Sequence, residues 1–533
     1  MTPFRLCLIG LLLTACSDSQ ESPSDDPGVF DAGMDSTDSA TNDDVQADAQ
    51  ADAPFDGAST CGELGSTRCV GVWVETCEPT GWSEPVECPL DQGCRDDACQ
   101  EPTTRQVQQA ASVQQLIDTL SRYSGWHEPV DASAVKERER RAILKGDGSD
   151  QTYFASAWRA MNAYPQGHQS LYSLEPGVCG TLLRWQATSR FGVCARPVQE
   201  GLIITFAKDG NPLGLHAGDV ITHADGVGGD AMLATAYLQP VCGSVFPSAA
   251  GRRHAAAASF FGTVETATTL RVRTPEGKVH DVIVSDVEDT ATTDCTDPFA
   301  RNRWVYAETT IRSDGVAVIR LPSFFPFDKE FPTDPKDFDA FIEAYQNEMV
   351  KIFEPAKSAK AIVWDARGNA GGITPVALAI IGGFPSARPT SVSYCRSRVV
   401  GSSPPSFDDY RYAIYEVTPG GPFSYSGKVA IVVDGLAYSA GDYFPFAALQ
   451  ASDAVVVGSP SAGAFGGGHG PIPLAGPPAL EANFDPAACF DHASNGFLEA
   501  NPASPTVEIE YDPADLAKGR DTLLERAIQQ LEL

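Results

Sequence analysis

The stretch Lys428-Val-Ala-Ile-Val-Val-Asp-Gly-Leu-Ala-Tyr-Ser-Ala-Gly-Asp442 decides the fold, because it sets one serine at an abrupt change of structure. Residues 429–433 are apolar and mostly β-branched, the composition of a buried parallel strand. A turn of small residues follows, and residues 442–450 read as a helix with Pro445 near its first turn. Ser439 then lies at a strand-to-helix corner, where its hydroxyl can face solvent while the Ala440 and Gly441 amides point outward as oxyanion donors. The plainer reading of Ser-Ala-Gly-Asp is a capping box, with Ser439 as N-cap and Asp442 three residues on.

The neighbouring segments repeat the pattern. From Gly315 onward, residues 316–321 read as a strand, 338–353 as an amphipathic helix, 361–366 as a buried strand and 454–458 as another. Strands alternating with helices imply a mostly parallel sheet with right-handed crossovers, which carries its sites in loops at the strand C-termini. Three such loops follow strands here: Arg367-Gly-Asn-Ala-Gly-Gly372, the Ser439 turn, and Ser461-Ala-Gly-Ala-Phe-Gly-Gly-Gly-His-Gly470. The glycines of the first loop suit close backbone approach or positive φ.

The chain has 533 residues and a formal charge of −32. Residues 1–15 hold one arginine and a short apolar run, the signature of a signal peptide. Leu13-Thr-Ala-Cys16 resembles a bacterial lipobox, so Cys16 is the expected lipidation site and mature N-terminus, with plain secretory cleavage as the alternative. Ser17 after the cysteine points, by the same resemblance, to the outer membrane, with the protein facing the periplasm or the cell exterior. Residues 16–60 read as a solvated tether, since Ser17 to Thr60 carries twelve acidic residues and no Lys or Arg. The remaining acidity argues against nucleic acid as a partner.

Of the fourteen cysteines, six fall within 61–100 (Cys61, Cys69, Cys77, Cys88, Cys94, Cys99) and six later (Cys179, Cys194, Cys242, Cys295, Cys395, Cys489). In an exported chain these are disulfide candidates, and a module of this size folds only with staples. The module has no histidine and no Cys-x-x-Cys pair, so a metal is not expected there.

Residues 101–179 read as a helical region from the spacing of Val113, Leu116, Ile117 and Leu120, ending in a Pro165–Gly167 turn before His168. Residues 180–290 read as a β-domain with strands at 201–207 and around 220, and a hairpin about Pro275-Glu-Gly277. Leu215-His-Ala-Gly-Asp-Val-Ile221 and Asp225-Gly226 resemble a PDZ domain, a family in which a peptide adds a strand to a sheet edge. An insertion around Cys242 is expected to cover part of that groove.

Taken together, residues 105 onward resemble the C-terminal processing peptidase and tricorn-core family of serine peptidases. The marks are Asp365-Ala-Arg-Gly-Asn-Ala-Gly-Gly372, Val432-Val-Asp-Gly-Leu-Ala-Tyr-Ser-Ala-Gly-Asp442, Val456-Val-Gly-Ser-Pro-Ser-Ala-Gly463 and Asn495-Gly-Phe-Leu-Glu499. The resemblance implies an α/β, or multidomain α+β, architecture whose mostly parallel ClpP/crotonase-like βαβ core spans 300–533. It implies that Ser439 is the nucleophile, with oxyanion donors from Ala440 and from Gly371 or Gly372. The processing branch places a lysine in the glycine-rich loop, where Ala464 stands here. The tricorn branch uses a histidine from the helical region, and Gln166-Gly-His168 resembles its motif, making His168 the general base and Glu499 the completing acid. His469 is the rival base. The expected activity is polypeptide hydrolysis without metal or cofactor. The alternatives are a non-catalytic peptide-binding lipoprotein and a hydrolase of small esters or lactams.

Overall fold

The computed structural model describes residues 61–533 except 62, 71–72, 90–91, 174–186, 239–242, 286–292, 302–306, 326–334, 468–469 and 533. The leader with Cys16, the acidic tether, Cys179, Cys242 and His469 lie outside the described residues. No described helix is long and apolar enough to cross a membrane.

Residues 61–100 form short antiparallel hairpins stapled by Cys61–Cys77, Cys69–Cys94 and Cys88–Cys99. Two further disulfides, Cys194–Cys295 and Cys395–Cys489, tie segments far apart in sequence. The helical region is three helices: α1 (Thr104–Tyr123), α2 (Ala132–Lys145) and α3 (Asp150–Asn162). Helix α1 starts at a reciprocal capping box between Thr103 and Gln106. Its apolar stripe of Val113, Leu116, Ile117 and Leu120 is buried, as the 3.6-residue spacing requires.

The next domain is an antiparallel sheet of β1 (Val193–Val198), β2 (Gly201–Ala207), β3 (Val220–Ala224), β4 (Thr269–Arg273) and β5 (Val279–Ile283), in the order β5-β4-β3-β2-β1. The hairpin about residues 275–277 forms as expected. Two helices, α4 (Gly229–Leu238) and α5 (Ala249–Thr263), accompany it. Helix α5 lies against edge strand β1 on one side and against α4 on the other.

The C-terminal sheet runs β6 (Glu308–Ile311), β7 (Val316–Arg320), β8 (Ala361–Asp365), β9 (Lys428–Val433), β10 (Val455–Gly458) and β11 (Val507–Glu508) in that spatial order. Only β6 is antiparallel to its neighbour. Strands β7, β8 and β9 are apolar except for one terminal residue each, Arg320, Asp365 and Lys428, because both faces are covered. One face packs on α6 (Phe338–Phe353), α7 (Thr374–Gly382) and α8 (Ala440–Ala451). The other packs on Ile203 and Val220 of the antiparallel sheet and on α9 (Thr522–Gln530).

The helical region and the antiparallel sheet share one core, which also takes in Leu436, Tyr438, Ala462 and Ala464. Ala440, Tyr443, Phe444 and Phe465 belong instead to the core of the parallel sheet. Ser439 thus stands at the seam between two cores.

Candidate active site

Strand β9 ends at Val433, and the chain turns on the buried Asp434, whose Oδ1 accepts the amides of Leu436 (3.1 Å) and Gly368 (2.8 Å). The Tyr438 amide donates to the Asn369 carbonyl (2.9 Å) and the Ser439 amide to the Ala464 carbonyl (3.1 Å). The three expected loops are thereby sewn together by main-chain hydrogen bonds. Ser439 has φ 59° and ψ −121°, and α8 begins at the next residue.

The expected capping box does not form: Ser439 makes no side-chain cap bond. A capping serine needs the extended conformation that lays its hydroxyl over the N2 or N3 amide, and positive φ removes it. Asp442, expected to complete that box, accepts instead from the amides of Gly463 (2.7 Å) and Ala464 (3.0 Å). Its carboxylate is fully buried with no cation beside it among the described residues, and burial pushes its pKa up to about 7.

Gly371 has φ +88°, and a Cβ built there would lie 2.6 Å from both the Ser439 Cβ and the Tyr438 carbonyl oxygen. Only glycine allows this approach. The Gly371 amide donates to Asn369 Oδ1 (2.8 Å), so it is already committed. Gly372, the other glycine expected as a second oxyanion donor, is exposed, with φ +132°. The Ala440 amide is the first of α8, at the positive end of the helix dipole.

The loop is anchored from below by Arg367. Its guanidinium donates from Nε to Asp365 Oδ1 (2.7 Å), from Nη2 to Asp365 Oδ2 (2.8 Å) and Asp521 Oδ2 (2.7 Å), and from Nη1 to Asp521 Oδ1 (2.8 Å). Arg301 adds a bond to Asp365 (2.8 Å). These guanidinium groups overcome the cost of burial and hold Asp365 far below the usual carboxylate range.

His168 comes from the turn after α3. It is half-buried with φ +65°, and its amide donates to the hydroxyl of Tyr438, the residue before Ser439. The His168 and Tyr438 rings lie 5.0 Å apart at 57°. Gly167 packs so closely on Ala464 that a Cβ built on Gly167 would lie 2.4 Å from the Ala464 Cβ. The histidine loop therefore occupies the space a lysine at 464 would need, which explains physically why the two branch patterns exclude each other here.

Glu499 is fully buried, and its oxygens are engaged by backbone: Oε1 by the Gly167 amide, Oε2 by those of Phe465 (3.0 Å) and Gly466 (3.1 Å). It meets the histidine turn through the residue before His168. Burial, then the nearby Asp485, pushes its pKa up to about 8. Asp485 is likewise held by amides, of Gly467 (2.7 Å) and Ala487 (2.8 Å).

The sequence reading missed Tyr438, Asn369 and Asp485. None sits in a pattern that carries a chemical meaning locally; each acts by touching a loop distant in sequence. A serine–histidine contact elsewhere, Ser459 Oγ to His254 Nε2 (3.2 Å), involves a histidine of α5. Burial pushes the His254 pKa down to about 4, and its other nitrogen faces the Ala250 carbonyl (3.0 Å).

A serine on a positive-φ strand-to-helix turn, a histidine loop and a glycine-lined loop thus meet at the C-terminal ends of the parallel strands. Residues 315–484 match the model of peptidase family S41, which bears out over that stretch the resemblance to the processing-peptidase family. The chain is similar in fold to mature CPAF, at 14% identity and TM-score 0.56, covering 81% of this chain and 97% of that one. A structure of mature CPAF complexed with lactacystin aligns at 13% identity and TM-score 0.54, covering 81% and 98%. The tricorn protease aligns at 16% identity and TM-score 0.38, over 88% of this chain and 42% of that one. No curated protein sequence matches the chain.

Proposed function

We propose that this protein is a serine endopeptidase that cleaves polypeptides through an acyl-enzyme on Ser439. His168 takes the proton from Ser439 Oγ as the oxygen bonds to the scissile carbonyl carbon, then delivers it to the leaving amine. Water, deprotonated by the same histidine, releases the acyl group. The Ala440 and Gly372 amides stabilise the oxyanion, each donor contributing about 3 to 4 kcal/mol in a site of this kind. Glu499 acts on His168 through the Gly167 amide.

The observation that carries this reading is the state of Ser439: positive φ, a hydroxyl not used as a cap, a first-turn amide beside it, and Gly371 in contact. A peptide-holding scaffold is favoured by no comparable feature, since α5 already lies between α4 and β1.

The test is labelling of the purified full-length protein by a fluorophosphonate, beside Ser439→Ala and His168→Ala. Labelling of the parent and its loss in both variants is the expected result. Retained casein hydrolysis by Ser439→Ala would sink the mechanism. We further propose that Cys16 is lipidated and that the acidic tether holds the peptidase off the outer membrane. Incorporation of radiolabelled palmitate by the parent and not by Cys16→Ala is the expected outcome, and equal incorporation would refute it.

A further inference from the structure

Resting on the reading of Ser439 and His168 as nucleophile and base, we propose that Tyr438 is the positioning residue that couples them. Its backbone carries the serine and its hydroxyl carries the histidine.

The geometry is specific. Tyr438 precedes Ser439, and its own amide is tied to the Asn369 carbonyl (2.9 Å), which fixes the entry to the nucleophile turn. Its side chain is buried and runs the other way, toward the histidine loop. There the hydroxyl accepts the His168 amide and donates to the Val245 carbonyl (3.4 Å). His168 is a non-glycine residue at φ +65°, a conformation that persists only where neighbours impose it. The phenol ring packs against the imidazole at 5.0 Å and edge-on to Phe246 at 5.5 Å, so ring and hydroxyl both bear on where the base sits. Burial holds the phenol protonated, which suits a hydrogen-bonding strut and excludes a role as base.

Tyr438 also belongs to the core shared by the helical region and the antiparallel sheet, whereas Ala440 belongs to the core of the parallel sheet. The residue thus crosses the seam on which Ser439 stands. A displacement of the helical region relative to α8 would reach the base through this side chain as well as through the Gly167 contacts.

The test compares Tyr438→Phe with the parent by fluorophosphonate labelling and peptide hydrolysis. The variant keeps the ring and removes only the hydroxyl. The expected result is full labelling stoichiometry, a labelling rate and kcat each lowered about tenfold, the scale of one lost buried hydrogen bond, and KM unchanged within about twofold. A parental rate overturns the proposal, and so does reduced stoichiometry at an unchanged rate, the mark of a purely structural role. Should Tyr438→Phe fail to fold, hydrogen exchange of the parent decides. The His168 amide is expected to be protected well beyond an open loop amide, and exchange at the open-loop rate overturns the proposal. Absence of labelling in the parent itself would instead remove the reading of Ser439 on which the proposal stands.

Discussion

Two acid-bearing regions flank Ser439, and they are built on opposite electrostatic plans. Beneath the 367–372 loop, Asp365 and Asp521 share the Arg367 guanidinium, and Arg301 also binds Asp365. Beneath the histidine loop, Glu499, Asp485 and Asp442 are held by main-chain amides. The first arrangement lowers the Asp365 pKa, whereas around Glu499 and Asp442 burial outweighs the amide hydrogen bonds and their pKa values rise. A planar, multiply bonded guanidinium fixes a loop rigidly. Amides around a carboxylate bring several backbone segments to one point, at the expense of sensitivity to proton uptake. The oxyanion loop has the first kind of support and the base loop the second.

The comparison can be broken most severely at Arg367. Arg367→Ala removes the guanidinium shared by Asp365 and Asp521, leaving the buried Asp365 to Arg301 alone, and should cost about 3 kcal/mol, read by denaturant unfolding. A loss below about 1 kcal/mol would mean the anchor is dispensable. Glu499→Ala orphans three amide donors; we expect about 2 kcal/mol of lost stability, with fluorophosphonate labelling impaired more than the stability loss explains. Full labelling at the parental rate would separate Glu499 from the base loop.

The pH dependence sharpens the contrast, because the two regions have opposite signs. Glu499 has a folded pKa of about 8 against an ordinary value near 4.5, so the native state holds its proton longer than the unfolded chain does. Its stabilising contribution is complete below about pH 4.5 and is lost as pH rises toward 8, at up to about 1.4 kcal/mol per pH unit. Asp365 is depressed from 3.8, so its contribution is present above about pH 4 and disappears on acidification. Glu499→Gln should flatten the alkaline limb of the stability curve and Asp365→Asn the acid limb. If both limbs survive both substitutions, the assignment fails. The smallest effect belongs to Asp521→Asn, which keeps the shape at a partly exposed partner of Arg367 and should cost about 1 kcal/mol in the same unfolding measurement.

Much of this was legible before any coordinates. The apolar runs at 316–319, 361–364 and 429–433 carry no competing periodicity, and the three loops that follow β8, β9 and β10 meet at Ser439 because a parallel sheet gathers its C-terminal ends. The sequence left the capping box open as the plainer alternative, because Ser-x-x-Asp is the same string whether the serine is extended or at positive φ. Its conformation is imposed by Ala464 and Asn369, residues that lie 25 positions later and 70 earlier in the chain. Gly371 and Gly372 are equivalent as letters, and only the Asn369 side chain distinguishes their amides.

The sequence by itself determined the alternation of strands and helices, the candidate serine, the histidine turn and the absence of a lysine at 464, since each is a local pattern with a local physical cause. The tertiary structure alone decided that the Tyr438 hydroxyl meets the His168 amide, that Glu499 is held by backbone amides and that α5 packs against both β1 and α4. Those outcomes depend on which buried polar group finds which partner across hundreds of residues. Burial makes such pairing obligatory without making it visible in the order of the chain.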